Sequence, residues 1–538
     1  MTVAAAFAAT AARYPQHDFL EVLPTVAAAL NTVARTWSYA QAAAEVQRLR
    51  STYAAAGYGH GHRAGLLLLN RPEFLFHFIA LNALGVSVVP ISPEWRAAEL
   101  EYLLGHSEIC VAATTAECAD ALRAAAARCG RPLALTDAQG SRIPAAATAA
   151  PDAGRAPDED TECALLYTSG TTGAPKGCVL PNEYFLCAGR WYTQVGGLCE
   201  VRPGVERMLT PLPMMHMNAM AYSTMCMILS GGCLVLLDRF HPRSWWESVR
   251  QSRATIVHYL GVMPAILLAA APDPMDRRHH VRFGFGAGIN RRHHAPFEER
   301  FGFPLLEAWA MTETGAGAVI IANREPRHVG TASIGAPGAD IEVRIVDDGG
   351  AEAAPGAPGE LWVRHAGPRP RYGFFRRYLK DEAATLAAWR GGWFHTGDLV
   401  TRDAAGVMRF VDRAKNIIRR SGENISAVDV EAVLVQHPQV RAVAVTGVPD
   451  ELRGDEVLAC VVPQGEVADP ARLAGELAAL CRERLAYYKA PGYVAFCAAL
   501  PLTPTEKVQR AELKALGAQL LGRRECIDLR ALKRREAP

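Results

Sequence analysis

The chain has 538 residues, 50% of them hydrophobic, which is enough to bury large cores and, at ordinary domain sizes, to make about three to four folding units. A formal net charge of +2 with 21% charged residues excludes a global basic field for nucleic acid and an acidic solvating tail. Thirteen cysteines with no C-x-x-C pair and no His/Cys set at zinc spacing read as free buried thiols in a reducing compartment, without structural zinc.

In chain order, the opening "MTVAAAFAATAARYP" carries no basic residue ahead of its weakly apolar stretch. It reads as an alanine-rich amphipathic helix rather than a signal peptide, and the expected location is cytoplasmic. Apolar runs bounded by turn residues then alternate with helical patterns: "AGLLLL" (64–69), "VSVVPIS" (86–92), "ATIVHYL" (254–260) and "VRFGFGAG" (281–288). That alternation predicts an α/β architecture. The low-complexity stretch 138–160 is expected to be a loose surface connection.

Between two strand-like runs lies "LLYTSGTTGAPKGCVL", Leu165 to Leu180. A nucleotide P-loop would need Gly, four residues and then Gly-Lys-Ser/Thr leading into a helix. Here Pro175 stands in place of the second glycine, and Gly177 follows Lys176. What remains is a strand-to-strand connection suited to a triphosphate. Gly170, Gly173 and Gly177 free backbone N–H groups to face an anion, Thr168, Ser169, Thr171 and Thr172 supply hydroxyls, and Lys176 supplies a compact charge. The next helix is expected to start at Asn182 as its N-cap. The uncharged run 219–237 is interrupted by Ser-Gly-Gly, so it reads as a buried helix followed by a strand, not a membrane span.

After Val319 the texture turns to strands and Pro/Gly turns, a small β-rich unit closing the large domain. From about Lys415 a separate pattern begins. "SAVDVEAVLVQHP" is a helix capped by Ser426, "VRAVAVTGV" and "EVLACVVP" are strands, and "RLAGELAALCRERL" is a second helix. The expected division is a large domain over 1–414 and a small α+β domain over 415–538.

Five strings in order, "YTSGTTGAPKG", "EAWAMTETGAG", "GWFHTGDLV", "RRSGENIS" and "LPLTPTEKVQ", resemble the motifs of the adenylate-forming superfamily: acyl-CoA synthetases, aryl-CoA ligases, luciferases and peptide-synthetase adenylation domains. Together with "HMNA", their wording is similar to the crotonobetaine/carnitine-CoA ligase branch. The resemblance covers nearly the whole chain and implies a large N-terminal domain of α/β subdomains plus the β-rich unit, hinged at Lys415 to the small domain. It implies an acid–thiol ligase that uses ATP, Mg²⁺ and coenzyme A to convert a small or medium carboxylic acid first to an acyl-adenylate and then to acyl-CoA.

The resemblance also implies residue roles. Thr168, Ser169, Gly170, Thr171, Thr172, Gly173 and Lys176 would grip phosphate, with Thr171 counted among the catalytic residues. Trp309 would stack on adenine, Met311 would line the nucleotide, Thr312 would contact phosphate, and Glu313, with Thr168, would hold magnesium. Asp398 would accept both ribose hydroxyls with Arg413 beside it. Gly422 would border the incoming thiol, Lys507 would bridge the carboxylate and the α-phosphate, and His216 would line the carboxylate pocket above a backbone floor from "GFGAGIN". Tyr222, Tyr259 and Phe283 would either hold a quaternary ammonium or fill volume. The chain departs from the superfamily pattern at Trp309 (usually Tyr), Ala310 (usually Gly), Leu502 (usually basic) and Glu506 (usually Gly).

Other expected classes are an adenylating enzyme that serves a carrier protein, a luciferase-like oxygenase, and a non-catalytic nucleotide-binding relative. No nucleic-acid partner is expected. A homodimer is compatible with the sequence, which carries no signal for the oligomeric state.

Overall fold

In the computed structural model the described residues are 1–533, apart from 94, 96, 169–174, 348, 414–416, 421–422, 451–453, 486 and 503–507. The two strands expected around the glycine loop are Glu162–Thr168 and Lys176–Pro181. They pair antiparallel as a hairpin, with Thr168 opposite Lys176. The hairpin joins a seven-stranded sheet whose other strands, Ser87–Pro90, Arg63–Leu67, Val111–Thr114 and Ala134–Asp137, run parallel to one another, with the short Arg377–Tyr378 at the far edge. Runs of Val, Leu and Ala with both faces covered suit a buried parallel sheet.

A second sheet has thirteen strands among the described residues. Its parallel heart includes Arg207–Thr210, Ile256–Leu260, Phe283–Ala287 and Leu305–Trp309. The β-rich unit after Val319 extends this sheet, because the two-residue strand Ile320–Ile321 pairs antiparallel with both Leu305–Trp309 and Ser333–Pro337. Phe394–Arg402 and Met408–Arg413 follow in the antiparallel wing. Trp309, at the last position of a parallel strand, and Asp398, in the wing, are thereby brought together.

The run 219–237 forms a π-helical turn, Asn218–Ser223, continued by the α-helix Thr224–Ser230 and stopped by Gly231 in the left-handed conformation before the strand Cys233–Leu236. Among the described residues no helix is long and apolar enough to cross a membrane. The N-terminal helix forms over Val3–Arg13. Asn182 corrects its expectation: Pro181 is the N-cap and Asn182 is already helical. Its buried amide accepts from Val3 N (3.0 Å) and Asn82 Nδ2 (2.8 Å) and donates to the Asp158 carbonyl (2.9 Å), a tertiary use that outweighs capping.

Among the described residues the last part builds its own six-stranded sheet with the helices Ala427–Leu434, Pro470–Arg484 and Arg510–Gly522, around separate apolar clusters. Ser426 caps the first helix, its hydroxyl accepting from Asp429 N at 3.3 Å, and it also donates to Asp412 Oδ2 at 3.3 Å. All thirteen cysteines are free.

Candidate active site

Several of the expected residues, Asp398, Arg413, Glu313 and Lys176 among them, lie on or around one turn, Trp309 to Gly317. At its start the Trp309 indole N–H donates to Asp398 Oδ2 at 2.9 Å, and Arg413 Nε lies 3.1 Å from Asp398 Oδ1. Asp398 and Arg413 face each other across an antiparallel pair, so the ladder itself sets this ion pair. Asp398 is 3% exposed and Trp309 5%, so most of the indole lies in the main core, with its polar edge on the carboxylate. Gly397 takes φ +67°, and its N–H donates to Glu360 Oε1 at 3.0 Å, which aims the next residue.

Four residues along the turn, Glu313 is 7% exposed and accepts from the Tyr378 hydroxyl at 2.9 Å. Burial first, then the Glu313 charge, push the Tyr378 phenol far above its ordinary range, so it stays a donor. Lys176 Nζ sits 4.8 Å above the Tyr378 ring and 4.0 Å from Asp381 Oδ2. The Cys178 thiol lies among the same groups. Burial and then the Glu313 carboxylate push it up, against a hydrogen bond from Thr168. Thr168 and Lys176, opposite each other on the hairpin, and the sequence-distant Glu313 therefore share one locality. A carboxylate beside a hydroxyl is an oxygen donor pair that fits Mg²⁺.

Two buried tyrosines clamp the turn: Tyr184 donates to the Thr312 carbonyl and Tyr222 to the Gly315 carbonyl, each at 2.9 Å. Gly315 must be glycine, since φ is +49° and a Cβ would sit 2.3 Å from Tyr184 Cε2. Thr314, fully buried, closes the turn by accepting from Met311 N at 3.0 Å. Met311 and Thr312 are half-buried along it.

The "GFGAGIN" segment is held by Glu307, the opening residue of "EAWAMTETGAG", to which the sequence reading gave no role. Glu307, buried, accepts from Gly288 N and Ile289 N at 3.0 Å each and from the Tyr259 hydroxyl at 2.8 Å. Burial raises its pKa despite these donors. His216 is exposed, at the approach to the π-helical turn. Tyr222, Tyr259 and Phe283 are buried, and the two phenols are committed to Gly315 and Glu307, so these rings fill volume rather than form an open cage. A cavity of about 750 Å³ opens beside the end of the turn, against Arg190, Trp191, Ala316, Val319, Arg324 and Tyr372; none of the described nucleotide candidates lines it. Ser169, Gly170, Thr171, Thr172, Gly173, Lys415, Gly422 and Lys507 lie outside the described residues.

The model of the AMP-binding enzyme family matches residues 7–378, and that of the AMP-binding enzyme C-terminal domain matches 429–507. A crotonobetaine/carnitine–CoA ligase of Salmonella heidelberg (strain SL476) is 29% identical over 498 residues, 90% of this chain and 94% of that protein. The o-succinylbenzoate CoA synthetase of Bacillus subtilis, solved with its acyl-adenylate intermediate, superposes with a TM-score of 0.79 at 25% identity over 95% of this chain and 97% of that one. The same synthetase with ATP and a magnesium ion gives 0.78 at 25% identity over 95% and 99%. With both of its parts matched, the first over residues 7–378, the chain belongs to the AMP-binding enzyme family of the adenylate-forming superfamily.

Proposed function

We propose that this protein is an ATP-dependent acid–CoA ligase that forms AMP. The observation that carries the reading is the Trp309–Gly317 turn, which joins a buried carboxylate suited to a vicinal diol, Asp398, to a second suited to a metal ion, Glu313. In the first step a carboxylate oxygen of the acid attacks the α-phosphorus of ATP and pyrophosphate leaves. In the second the CoA sulfur attacks the acyl carbon, AMP leaves, and the thiol proton goes to solvent. Activation is needed because a free carboxylate is a poor acyl donor, whereas AMP departs readily.

Asp398 and Arg413 take the ribose, Trp309 borders the base, and Met311 and Thr312 line the nucleotide. Thr168, Lys176 and the loop residues Ser169 to Gly173 hold the phosphates, Thr171 among them. Glu313 and Thr168 would hold Mg²⁺, which would supply positive charge to offset that of the phosphates. His216 receives the carboxylate, and Lys507 bridges it to the α-phosphate, where negative charge accumulates. The domain over 415–538 turns about Lys415 against 1–414 and exchanges Lys507 for the Gly422 loop. The acid is small or medium in size. The relatives' names point to quaternary-ammonium acids, but the buried rings of Tyr222, Tyr259 and Phe283 offer no cage for such a cation.

The test separates the half-reactions. Lys507→Ala should lose acid-dependent pyrophosphate release by at least about a hundredfold while still forming thioester from supplied acyl-adenylate. An equal loss in both would overturn the assignment.

A further inference from the structure

His258, in the strand Ile256–Leu260, is fully buried and belongs to none of the motifs. Its Nδ1 lies 2.6 Å from Asn218 Oδ1 and 3.0 Å from Ser223 Oγ, and its Nε2 lies 2.9 Å from the Tyr192 hydroxyl. An amide oxygen can only accept, so Nδ1 carries the proton and Nε2 accepts from Tyr192. Burial keeps the ring neutral, its pKa lowered to about 3.

The spacing of these partners is the informative part. Asn218 and Ser223 are the first and last residues of the π-helical turn. In an α-helix residues five apart point about 140° away from each other, and one imidazole nitrogen could not meet both. The wider i→i+5 turn brings them to the same face. Ser223 Oγ also donates back to the Asn218 carbonyl at 3.3 Å, and Thr224 Oγ1 to the Ala219 carbonyl at 2.9 Å, both over the same five-residue step. The His258 ring thus selects the π form over the α form at this position.

The turn it selects has neighbours that matter. His216 stands two residues before Asn218, its carbonyl accepting from Met220 N at 3.0 Å. Tyr222, inside the turn, donates to the Gly315 carbonyl two residues after Glu313. Reverting the turn to α geometry would rotate His216 relative to the Glu313 loop, even though His258 touches neither.

We propose that His258 is a positioning residue: by pinning Asn218 and Ser223 it holds the π-helical turn that sets His216 against the Glu313 loop, and so determines how tightly the carboxylic acid binds. This rests on the acid–CoA ligase reading above.

The test compares His258→Asn, His258→Phe and Asn218→Ala, with pyrophosphate release titrated in acid and in ATP and thermal melting run alongside. Asn keeps a donor where Nδ1–H stands but loses volume, whereas Phe keeps the volume and loses the donor. Expected is an acid KM raised about tenfold in His258→Phe and Asn218→Ala and no more than threefold in His258→Asn, with the ATP KM unchanged within twofold in all three. A residue serving only packing would give the opposite order, Phe close to wild type and Asn impaired, and that result overturns the proposal. Should His258→Phe not fold, Asn218→Ala decides: an acid KM equal to wild type overturns it. A wild-type enzyme that releases pyrophosphate with no acid sinks the ligase reading and this proposal with it; an active wild type with unshifted variants sinks this proposal alone.

Discussion

The indole N–H of Trp309 and the carboxylate of Asp398 meet at 2.9 Å in a buried setting, linking the end of a parallel strand to the antiparallel wing of the same sheet. Trp309 stands where the superfamily usually has tyrosine, and the bond occupies one oxygen of the proposed ribose acceptor. Hydrogen bonds to charged groups contribute about 1.5–3 kcal/mol. Trp309→Phe, which keeps a ring and removes the donor, should therefore raise the ATP KM by roughly tenfold or more, with the acid KM little changed. Initial rates of pyrophosphate release against ATP concentration check this, and an unchanged ATP KM would show the bond to be structural only.

Asp398 itself should read the ribose diol. Wild type is expected to use 2′-deoxy-ATP about tenfold or more less efficiently than ATP, because a site built for a hydroxyl discriminates against its absence. Asp398→Ala should bring the two nucleotides within about threefold of each other. Persistent discrimination in that variant would remove Asp398 from the ribose.

Tyr378 donates to Glu313 and lies under Lys176, so it orients one proposed ligand of the metal and one of the phosphates. Tyr378→Phe removes a single hydroxyl, worth about 1.5–3 kcal/mol against a charged acceptor. Turnover should fall about tenfold, and the Mg²⁺ concentration for half-maximal rate should rise. Turnover that falls with no change in Mg²⁺ dependence would place Tyr378 away from the metal.

Two buried histidines make a statement about acid stability. Burial lowers His258 to about 3 and His77 to about 4 from an ordinary 6.5. Below about pH 6.5 the unfolded chain binds protons that the folded chain refuses. The stability they contribute is complete above that value and is lost as pH falls towards 4 and then 3. At pH 5 unfolding should take up about two more protons on their account than at pH 8. Calorimetric enthalpies measured in buffers of different ionisation heat count those protons, and an extra uptake below one would contradict the assignment.

The part of the candidate site that the structure describes and the sequence signals lies in short ordered strings that carry their chemistry locally: the Thr-Glu after Trp309 and the Gly-Asp at 397–398. The strands on either side of the glycine loop, and the Ser-Gly-Gly stop before Cys233, are likewise local signals of periodicity and turn chemistry. What escapes is the set of single residues whose partners come from elsewhere. Tyr378 reaches Glu313 across 65 positions, Tyr259 reaches Glu307 across 48, and His258 reaches Asn218 across 40. None sits in a repeating pattern, and each owes its position to strand pairing rather than to neighbours in the chain. The continuity of the β-rich wing with the second sheet escapes for the same reason, since it depends on the two residues Ile320 and Ile321 pairing on both sides.

Under the proposed function, one site couples cleavage of ATP between its α- and β-phosphates to activation of an organic acid. Supplying ATP, Mg²⁺, CoA and a panel of carboxylic acids, and counting every phosphorus-containing product, tests it most directly. One AMP and one pyrophosphate are expected for each acyl-CoA formed, with pyrophosphate release dependent on the acid and beginning before CoA is added. Formation of ADP and phosphate, or nucleotide cleavage indifferent to every acid, would contradict it.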